Sequence, residues 1–144
     1  MAKEVWRDGF IQVNAVDLSD HCSSMTIEGT TEEVDLTSFT TAGYREIGTG
    51  FKTANITATF FQDYASGSVD ATLQPLWDSG GTFAVHCKQH QTATSATNPR
   101  YSLGTARIMT YSPFGGGVGD PNSFDATFVN AGTAGLTRGT SGSP

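Results

Sequence analysis

The fold is decided by the stretch Phe51-Lys52-Thr53-Ala54-Asn55-Ile56-Thr57-Ala58-Thr59-Phe60-Phe61, in which apolar and polar side chains alternate. A period of two is that of a β-strand that packs one face on a core and leaves the other face exposed. β-Branched threonine favours extended backbone at the exposed positions. The stretch therefore predicts a strand with two faces. The core face carries Ala54, Ile56, Ala58 and Phe60, and the opposite face carries Asn55, Thr57 and Thr59.

Runs in which apolar residues are interspersed with polar ones lie on both sides of this strand. They predict further strands over 9–16, 24–29, 82–89, 101–111 and 123–130. Segments 91–99 and 113–122 are rich in Thr, Ser, Asn, Gly and Pro and predict loops. The chain is therefore predicted to be mainly β: an antiparallel β-sandwich or partly open barrel.

One helix is predicted over about 68–79, because Val69, Leu73, Leu76 and Trp77 recur at helical spacing before Gly80-Gly81. Pro75 lies inside this segment and removes a backbone hydrogen bond, so we expect a kink there or a regular helix only after Thr72. The apolar side of this helix is expected to cover the core of the sheet.

The stretch 30–50 has too few large apolar residues to pack a helix and is expected to form an extended arm or a long hairpin. Its large apolar residues are Val34, Leu36, Phe39, Tyr44 and Ile47. Residues 1–130 are expected to form a single domain. Residues 131–144 contain few apolar side chains and are expected to form a flexible C-terminal tail.

The composition excludes several classes of function. The 144 residues include 21 Thr and 17 Gly, only 15% are charged, and the formal net charge is -6. Sites that hold nucleic acid phosphates need a basic patch, so tight DNA binding is disfavoured. Membrane binding is likewise not expected, because no apolar run is long enough to span a bilayer. The first residues lack the apolar run of a signal peptide, so we expect synthesis and assembly in the cytoplasm.

The sequence carries no motif for catalysis or for a cofactor. It lacks Gly-x-Ser-x-Gly, His-Glu-x-x-His and a Gly-Lys-Ser/Thr phosphate loop, so we expect no enzyme and no catalytic residue. Cys22 and Cys87 are expected to be free thiols. The pairs His21-Cys22 and His86-Cys87 do not match a closed set of zinc ligands, because adjacent residues on a strand point to opposite faces. No metal site is therefore predicted.

Charge is distributed unevenly along the chain. Residues 1–80 contain twelve acidic and four basic residues, whereas residues 81–144 contain two acidic and four basic ones. An acidic half and a basic half can favour head-to-tail contact between copies, although an uneven charge distribution more often reflects only charged side chains exposed to solvent.

Several segments resemble the major tail tube proteins of long-tailed, siphovirus-like bacteriophages. They are Thr31-Glu-Glu-Val-Asp-Leu-Thr-Ser-Phe, Gly43-Tyr-Arg-Glu-Ile, Gly48-Thr-Gly-Phe-Lys, Phe60-Phe61-Gln-Asp, Leu73-Gln-Pro-Leu-Trp and Phe83-Ala-Val-His. The resemblance covers much of the chain and is one of segment order and texture. It implies a β-sandwich with a flanking helix that forms hexameric rings, and these rings stack into a hollow tail tube in the virion.

The resemblance also implies partners and contacts. By resemblance, the partners are further copies of the chain, the tape measure protein, the tail terminator and the tail-tip proteins, with double-stranded DNA only passing transiently through the lumen. The arm resembles the family's loop that reaches the neighbouring ring, and its expected contact residues are Glu32, Glu33, Asp35, Tyr44, Arg45 and Glu46. Asn55, Thr57 and Thr59 are candidates for the lumen face.

Two alternatives remain open from the sequence. Another virion component, such as a head-decoration or tail-end protein, could share the same β-rich, acidic texture. A metal- or ligand-binding β module would depend on His86 and His90 lying on one face of a strand.

Overall fold

A computed structural model describes residues 3, 5–39 and 42–141, and this part of the chain forms eight strands and one α-helix. The strands are β1 (Phe10–Val13), β2 (Val16–Asp17), β3 (Cys22–Asp35), β4 (Ile47–Phe61), β5 (Phe83–Lys88), β6 (Arg100–Tyr111), β7 (Ser123–Asn130) and β8 (Leu136–Gly139), and the helix is α1 (Val69–Ser79). The predicted mainly β class with one flanking helix is confirmed.

All pairings between strands are antiparallel, and the strand order is β2-β1-β5-β6-β7-β4-β3. The sheet curves over a shared core and is not closed into a barrel. The long strand β6 pairs with β5 on one side. On its other side, β8 pairs with the first part of β6 and β7 pairs with the second part. The sequence predicted this open arrangement as one of its two architectures.

The core is built from side chains of five strands (β1, β4, β5, β6 and β7) and one side of the helix. Ile56 of β4, Phe128 of β7 and Ile108 of β6 stand directly opposite one another across the sheet and are all buried. Phe128 also meets the ring of Phe83 edge-on, with 5.8 Å between the centroids. Burial of such large apolar side chains is the main favourable term in folding, at about 1.5 to 3 kcal/mol each.

Helix α1 packs against β6, and its first half belongs to the core. Val69 and Leu73 are fully buried, but Trp77, which was expected to cover the core, is 48% exposed. The helix includes Pro75 and begins at Val69, so the expectation of regular turns only after Thr72 is wrong. Gly80 ends the helix in the left-handed conformation, with φ 67°, which glycine adopts without a Cβ clash.

The C-terminal segment differs from the prediction of a flexible tail. Leu136–Gly139 form β8, which pairs with Arg100–Leu103 of β6, and Leu136 packs against the core. The low apolar content of the segment was misleading, because the ladder of backbone hydrogen bonds with β6 holds it in place. Residues 142–144 lie outside the described part of the chain.

The segment that precedes β1 is held by hydrogen bonds to the residues that follow β5. Trp6 donates its indole N–H to the backbone oxygen of Gln89 at 2.5 Å, and Gln91 donates its side-chain amide to the backbone oxygen of Gly9 at 2.6 Å. A cavity of about 340 Å³ lies below this segment, between Met25 on β3 and Tyr101 on β6. Trp6 and Met25 both line this cavity, so the segment before β1 lies close to β3.

Candidate assembly surfaces

The hairpin of β3 and β4 extends beyond the rest of the sheet. The two strands pair from Cys22 opposite Phe60 to Asp35 opposite Ile47, but β7 covers only Asn55–Phe61 of β4. We call residues 30–50 the arm. Its described residues, 30–39 and 42–50, therefore have mainly each other as neighbours, and most of them are exposed. The long hairpin is one of the two forms expected from the sequence.

Three of the predicted contact residues meet in an ion cluster on the arm. The Nη2 atom of Arg45 lies 3.6 Å from a carboxylate oxygen of Glu33 and 3.6 Å from one of Asp35. The pKa of Asp35 is lowered, chiefly by a hydrogen bond to the Thr37 side chain, with smaller effects from the Thr37 backbone N–H and from Arg45. Exposed ion pairs are screened by water and contribute little to stability, so the cluster orients charges more than it stabilises the fold.

The other three predicted contact residues lie near this cluster without joining it. Glu46 is held through its backbone, which accepts a hydrogen bond from the Leu36 N–H at 2.8 Å and donates one to the Thr37 hydroxyl at 2.9 Å. Tyr44 is 82% exposed, and Glu32 lies at the irregularity in register between Thr31 and Glu33. All six predicted residues are exposed.

Large apolar side chains on the arm, and at Phe51 directly after it, are a feature that the predicted contact residues left out, apart from Tyr44. Phe39 and Phe51 are 110% and 85% exposed, and Leu36 and Ile47 are each 53% exposed. We call these four residues and Tyr44 the arm patch. Large apolar side chains that stay exposed in such number indicate a contact with another molecule. The sequence contained this signal, since large apolar residues stood in a stretch with no core of its own to cover.

The second surface is the face of the sheet opposite the core, on β3, β4, β7 and β6. Asn55, Thr57 and Thr59 lie together on it, as the alternation predicted. Thr57 pairs with Thr26 on one side and Thr127 on the other, and Thr127 pairs with Thr110, so four threonines form one row across four strands. We call this surface the threonine face. Threonine side chains that face each other across strands favour the sheet without offering a charged site.

Charges on the threonine face are few. Glu28 lies opposite Asn55, and Asp125 accepts a hydrogen bond from the Thr59 hydroxyl at 2.6 Å. Arg107 is opposite Val129 and donates to the backbone oxygen of Gly80 at the end of α1. The face is therefore mainly neutral, with carboxylates and an arginine at its margins.

The third surface lies at the end of the sheet away from the arm. The loop between β6 and β7, residues 112–122, carries Phe114 at 71% and Val118 at 109% exposure. Its base is held by the β4–α1 connection, because the Gln62 amide and the Tyr64 hydroxyl both donate to the Pro113 backbone oxygen, at 2.5 and 3.4 Å. Gly116 and Gly119 adopt φ 109° and 91°, which side chains other than glycine rarely accept. The sequence predicted this segment only as a loop.

A free strand edge is the fourth feature. Within the described residues, β3 pairs on one side only, with β4, and it runs for 14 residues. Natural proteins rarely leave such a long edge uncovered, because its unpaired backbone groups recruit other strands. The edge is therefore suited to pairing with a second chain.

The histidines and cysteines do not form a metal site. His86 is hydrogen-bonded to Ser102 at 2.7 Å and His90 to Asp8 at 2.8 Å, and β5 ends at Lys88, so the two histidines do not share one strand as the alternative reading required. Within residues 3, 5–39 and 42–141, no group of three or more potential metal ligands occurs.

The thiols are also poor ligands. Burial raises the pKa of Cys22 to about 11 and that of Cys87 to about 12, so both stay protonated at neutral pH. Both are free thiols, as expected. Among the described helices, none is long and apolar enough to cross a membrane.

Comparison with known proteins gives matches of fold rather than of sequence. No protein-family model and no curated protein sequence matches the chain. A chain in the virion of a native gene transfer agent (GTA) particle has a TM-score of 0.71 at 17% identity, over 94% of this chain and 98% of that chain. A chain in the tail of an empty GTA particle, computed with helical refinement and C6 symmetry, has a TM-score of 0.63 at 19% identity, over 81% of each chain. The chain therefore has the fold of subunits in these phage-like virion and tail particles, which confirms the predicted resemblance at the level of the fold.

Proposed function

We propose that this chain is a structural subunit of a bacteriophage tail tube, in which six copies form a ring and rings stack into a hollow tube within the virion. The observation that supports this most strongly is the match in fold, over most of the chain, to a subunit of a tail with C6 symmetry. The arm, the threonine face and the β6–β7 loop are exposed surfaces suited to contact with other molecules, which also accords with a structural role. The chain is therefore proposed to act through self-assembly and not as an enzyme.

The threonine face is proposed to line the tube. Four strands of each copy carry this face, so six copies would contribute 24 strands to a shared barrel. At a spacing of about 4.8 Å and a tilt of about 40°, that barrel has a backbone diameter of roughly 48 Å. Subtracting about 5 Å of side chain on each side leaves about 38 Å. A DNA duplex is roughly 20 Å across, so it fits through the opening.

The chemistry of the threonine face suits transport better than binding. Short hydroxyl side chains offer no cation for phosphate, and the carboxylates of Glu28 and Asp125 repel it. The guanidinium of Arg107 donates a hydrogen bond to the Gly80 backbone oxygen at the end of α1, which holds it away from a passing phosphate. DNA is therefore expected to pass through the lumen without being retained.

The free edge of β3 is proposed to join neighbouring copies within a ring, and the arm is proposed to contact the adjacent ring. Closing the ring would cover the edge, and stacking would cover the arm patch. The tape measure protein inside the tube, and the terminator and tail-tip proteins at its ends, are the further partners that this proposal implies.

The experiment is assembly of the purified full-length chain with and without the arm. We expect concentrated wild-type protein to form tubes in negative-stain images, whereas a variant in which a short Gly/Ser turn replaces residues 31–47 forms none. Circular dichroism should show that the shortened variant keeps its sheet, because β4 still pairs with β7. Tubes formed by the shortened variant would refute the role of the arm, and trimers or monomers of the wild type would refute the tube.

A further inference from the structure

We propose that the loop between β6 and β7, together with the adjacent β4–α1 connection, is the surface on which the arm of the next copy along the tube docks. The inference rests on the proposed tail-tube function and adds the receiving partner of the arm. The receiving surface, which we call the loop patch, consists of Phe61, Tyr64, Phe114 and Val118.

The two patches lie at opposite ends of one strand. β4 begins at Ile47, beside the tip of the arm, and ends at Phe61, which pairs with Ser123 directly after the β6–β7 loop. Its 15 residues span about 46 Å at about 3.3 Å per residue. Repeated head-to-tail contact between identical copies requires two different surfaces at opposite ends of the molecule, and the arm patch and the loop patch meet this requirement.

The exposed apolar surface is concentrated at these two ends. Of the large apolar side chains that are exposed in the described residues, five belong to the arm patch and four to the loop patch. At about 200 Å² for a fully exposed large side chain, the arm patch offers on the order of 750 Å² and the loop patch on the order of 550 Å². Stable interfaces bury about 800 Å² per partner, so the two patches with their polar margins are of suitable size.

Hydrogen bonds fix both ends of the loop between β6 and β7, while its apolar residues Phe114 and Val118 are exposed. Pro113 is fixed by Gln62 and Tyr64, and the Gln62 N–H donates to the backbone oxygen of Asn122 at 2.8 Å at the other end of the loop. Within the loop, Asp120 and Gly117 form a turn in which the Asp120 N–H donates to the Gly117 oxygen at 3.2 Å. A loop anchored at both ends loses less conformational entropy when it binds a partner.

The charges predict how the contact responds to salt. The arm carries Glu32, Glu33, Asp35 and Glu46 against Arg45, and the loop patch is flanked by Asp63 and Asp120. Both surfaces are therefore acidic, so their attraction must be apolar and their charges repel. Salt screens this repulsion, and stacking is expected to increase as the salt concentration rises from about 50 to about 500 mM.

The test uses the full-length chain with one added cysteine in each of two variants. Ser38→Cys places a thiol beside Phe39 on the arm, and Val118→Cys places one in the loop patch. Under mild oxidation, we expect the mixture of the two variants to form disulfide-linked dimers about tenfold faster than either variant alone. Asp78→Cys on the exposed side of α1 is the matched control, and its mixture with Ser38→Cys should not cross-link above background.

Each outcome has a distinct meaning. Tubes in electron micrographs together with cross-linking of only the mixed variants support the inference. Tubes without that cross-link, or a Ser38→Cys variant that cross-links as fast alone, overturn the inference and leave the tube intact. Wild-type protein that forms no tubes overturns both proposals. A second variant, Phe114→Ser with Val118→Ser, should form single rings that do not stack, and normal tubes from it would also overturn the inference.

Discussion

The hydroxyl of Tyr111 joins three parts of the molecule, and its removal gives a prediction that can be worked through in numbers. It donates to a carboxylate oxygen of Asp70 in α1 at 2.6 Å and accepts from the Gln62 amide at 3.1 Å. The ring meets Phe124 edge-on at 5.2 Å, and a phenylalanine at this position would keep that contact. Tyr111→Phe therefore deletes the hydrogen bonds and leaves the apolar packing in place.

The expected loss is about 1.5 kcal/mol, the lower end for a hydrogen bond to a charged group, because the site is only partly buried. With an unfolding entropy of about 2.1 cal/mol/K per residue, 144 residues give about 0.3 kcal/mol/K, so the melting temperature should fall by about 5 °C. Scanning calorimetry at a concentration too low for assembly measures this change without a contribution from stacking.

Tyr64→Phe is the matched control, since its hydroxyl donates to Pro113 at 3.4 Å from a side chain that is 59% exposed. The control should lower the melting temperature by less than about 2 °C. Equal shifts for the two variants would refute the reasoning.

The same tyrosine gives a pH dependence. Burial, followed by the hydrogen bond to Asp70, raises the pKa of Tyr111 to about 12. Because the folded pKa lies above the unfolded value of about 10, the stabilisation is complete below about pH 10 and is lost as pH rises towards 12. The difference in stability between the wild type and Tyr111→Phe should shrink over that window, and a difference that stays constant through pH 12 would contradict this assignment.

Three further predictions concern the helix end, acid stability and the threonine face. Gly80→Ala should cost about 1 kcal/mol in chemical denaturation, because alanine at φ 67° is strained even though the space around it is open; an unchanged midpoint would contradict this. The pKa of Asp63 is lowered, chiefly by the Ala65 N–H and then by the Ser68 hydroxyl, so the ionised Asp63 stabilises the fold above about pH 4 and this stabilisation is lost as the pH falls. Asp63→Asn should therefore make the free energy of unfolding less dependent on pH below about pH 4, and an unchanged pH dependence would contradict this assignment. Thr57→Cys tubes labelled with biotin should bind streptavidin–gold only at their ends, whereas Asp78→Cys tubes should bind it along their length; gold along Thr57→Cys tubes would exclude a lumen position.

Much of the sheet could be predicted from the sequence, and the reason is local alternation. Phe51–Phe61 alternates because one side of the strand packs on the core and the other does not. In the structure this stretch is the C-terminal part of β4. β7 was predicted with its observed bounds for the same reason. The outer half of β3 was predicted only as part of an extended arm or a long hairpin, since most of its residues are exposed and its sequence does not alternate.

The features that escaped prediction depend on distant parts of the chain. β8 is short and polar, and only its ladder with β6 makes it a strand. The row of Thr26, Thr57, Thr127 and Thr110 depends on register across four strands, which no single segment contains. The acidic arm residues were predicted as contacts from the resemblance, whereas the exposure of the neighbouring aromatic residues follows only from the extension of the hairpin beyond the core.

The central claim is that six copies surround a lumen lined by the threonine face, and a helical reconstruction of tubes grown from the pure chain tests it most directly. The account predicts sixfold rings in which β3, β4, β7 and β6 of each copy turn Asn55, Thr57 and Thr59 towards an opening of about 38 Å. Rings of another symmetry, or tubes in which this face lies on the outer wall, would contradict it.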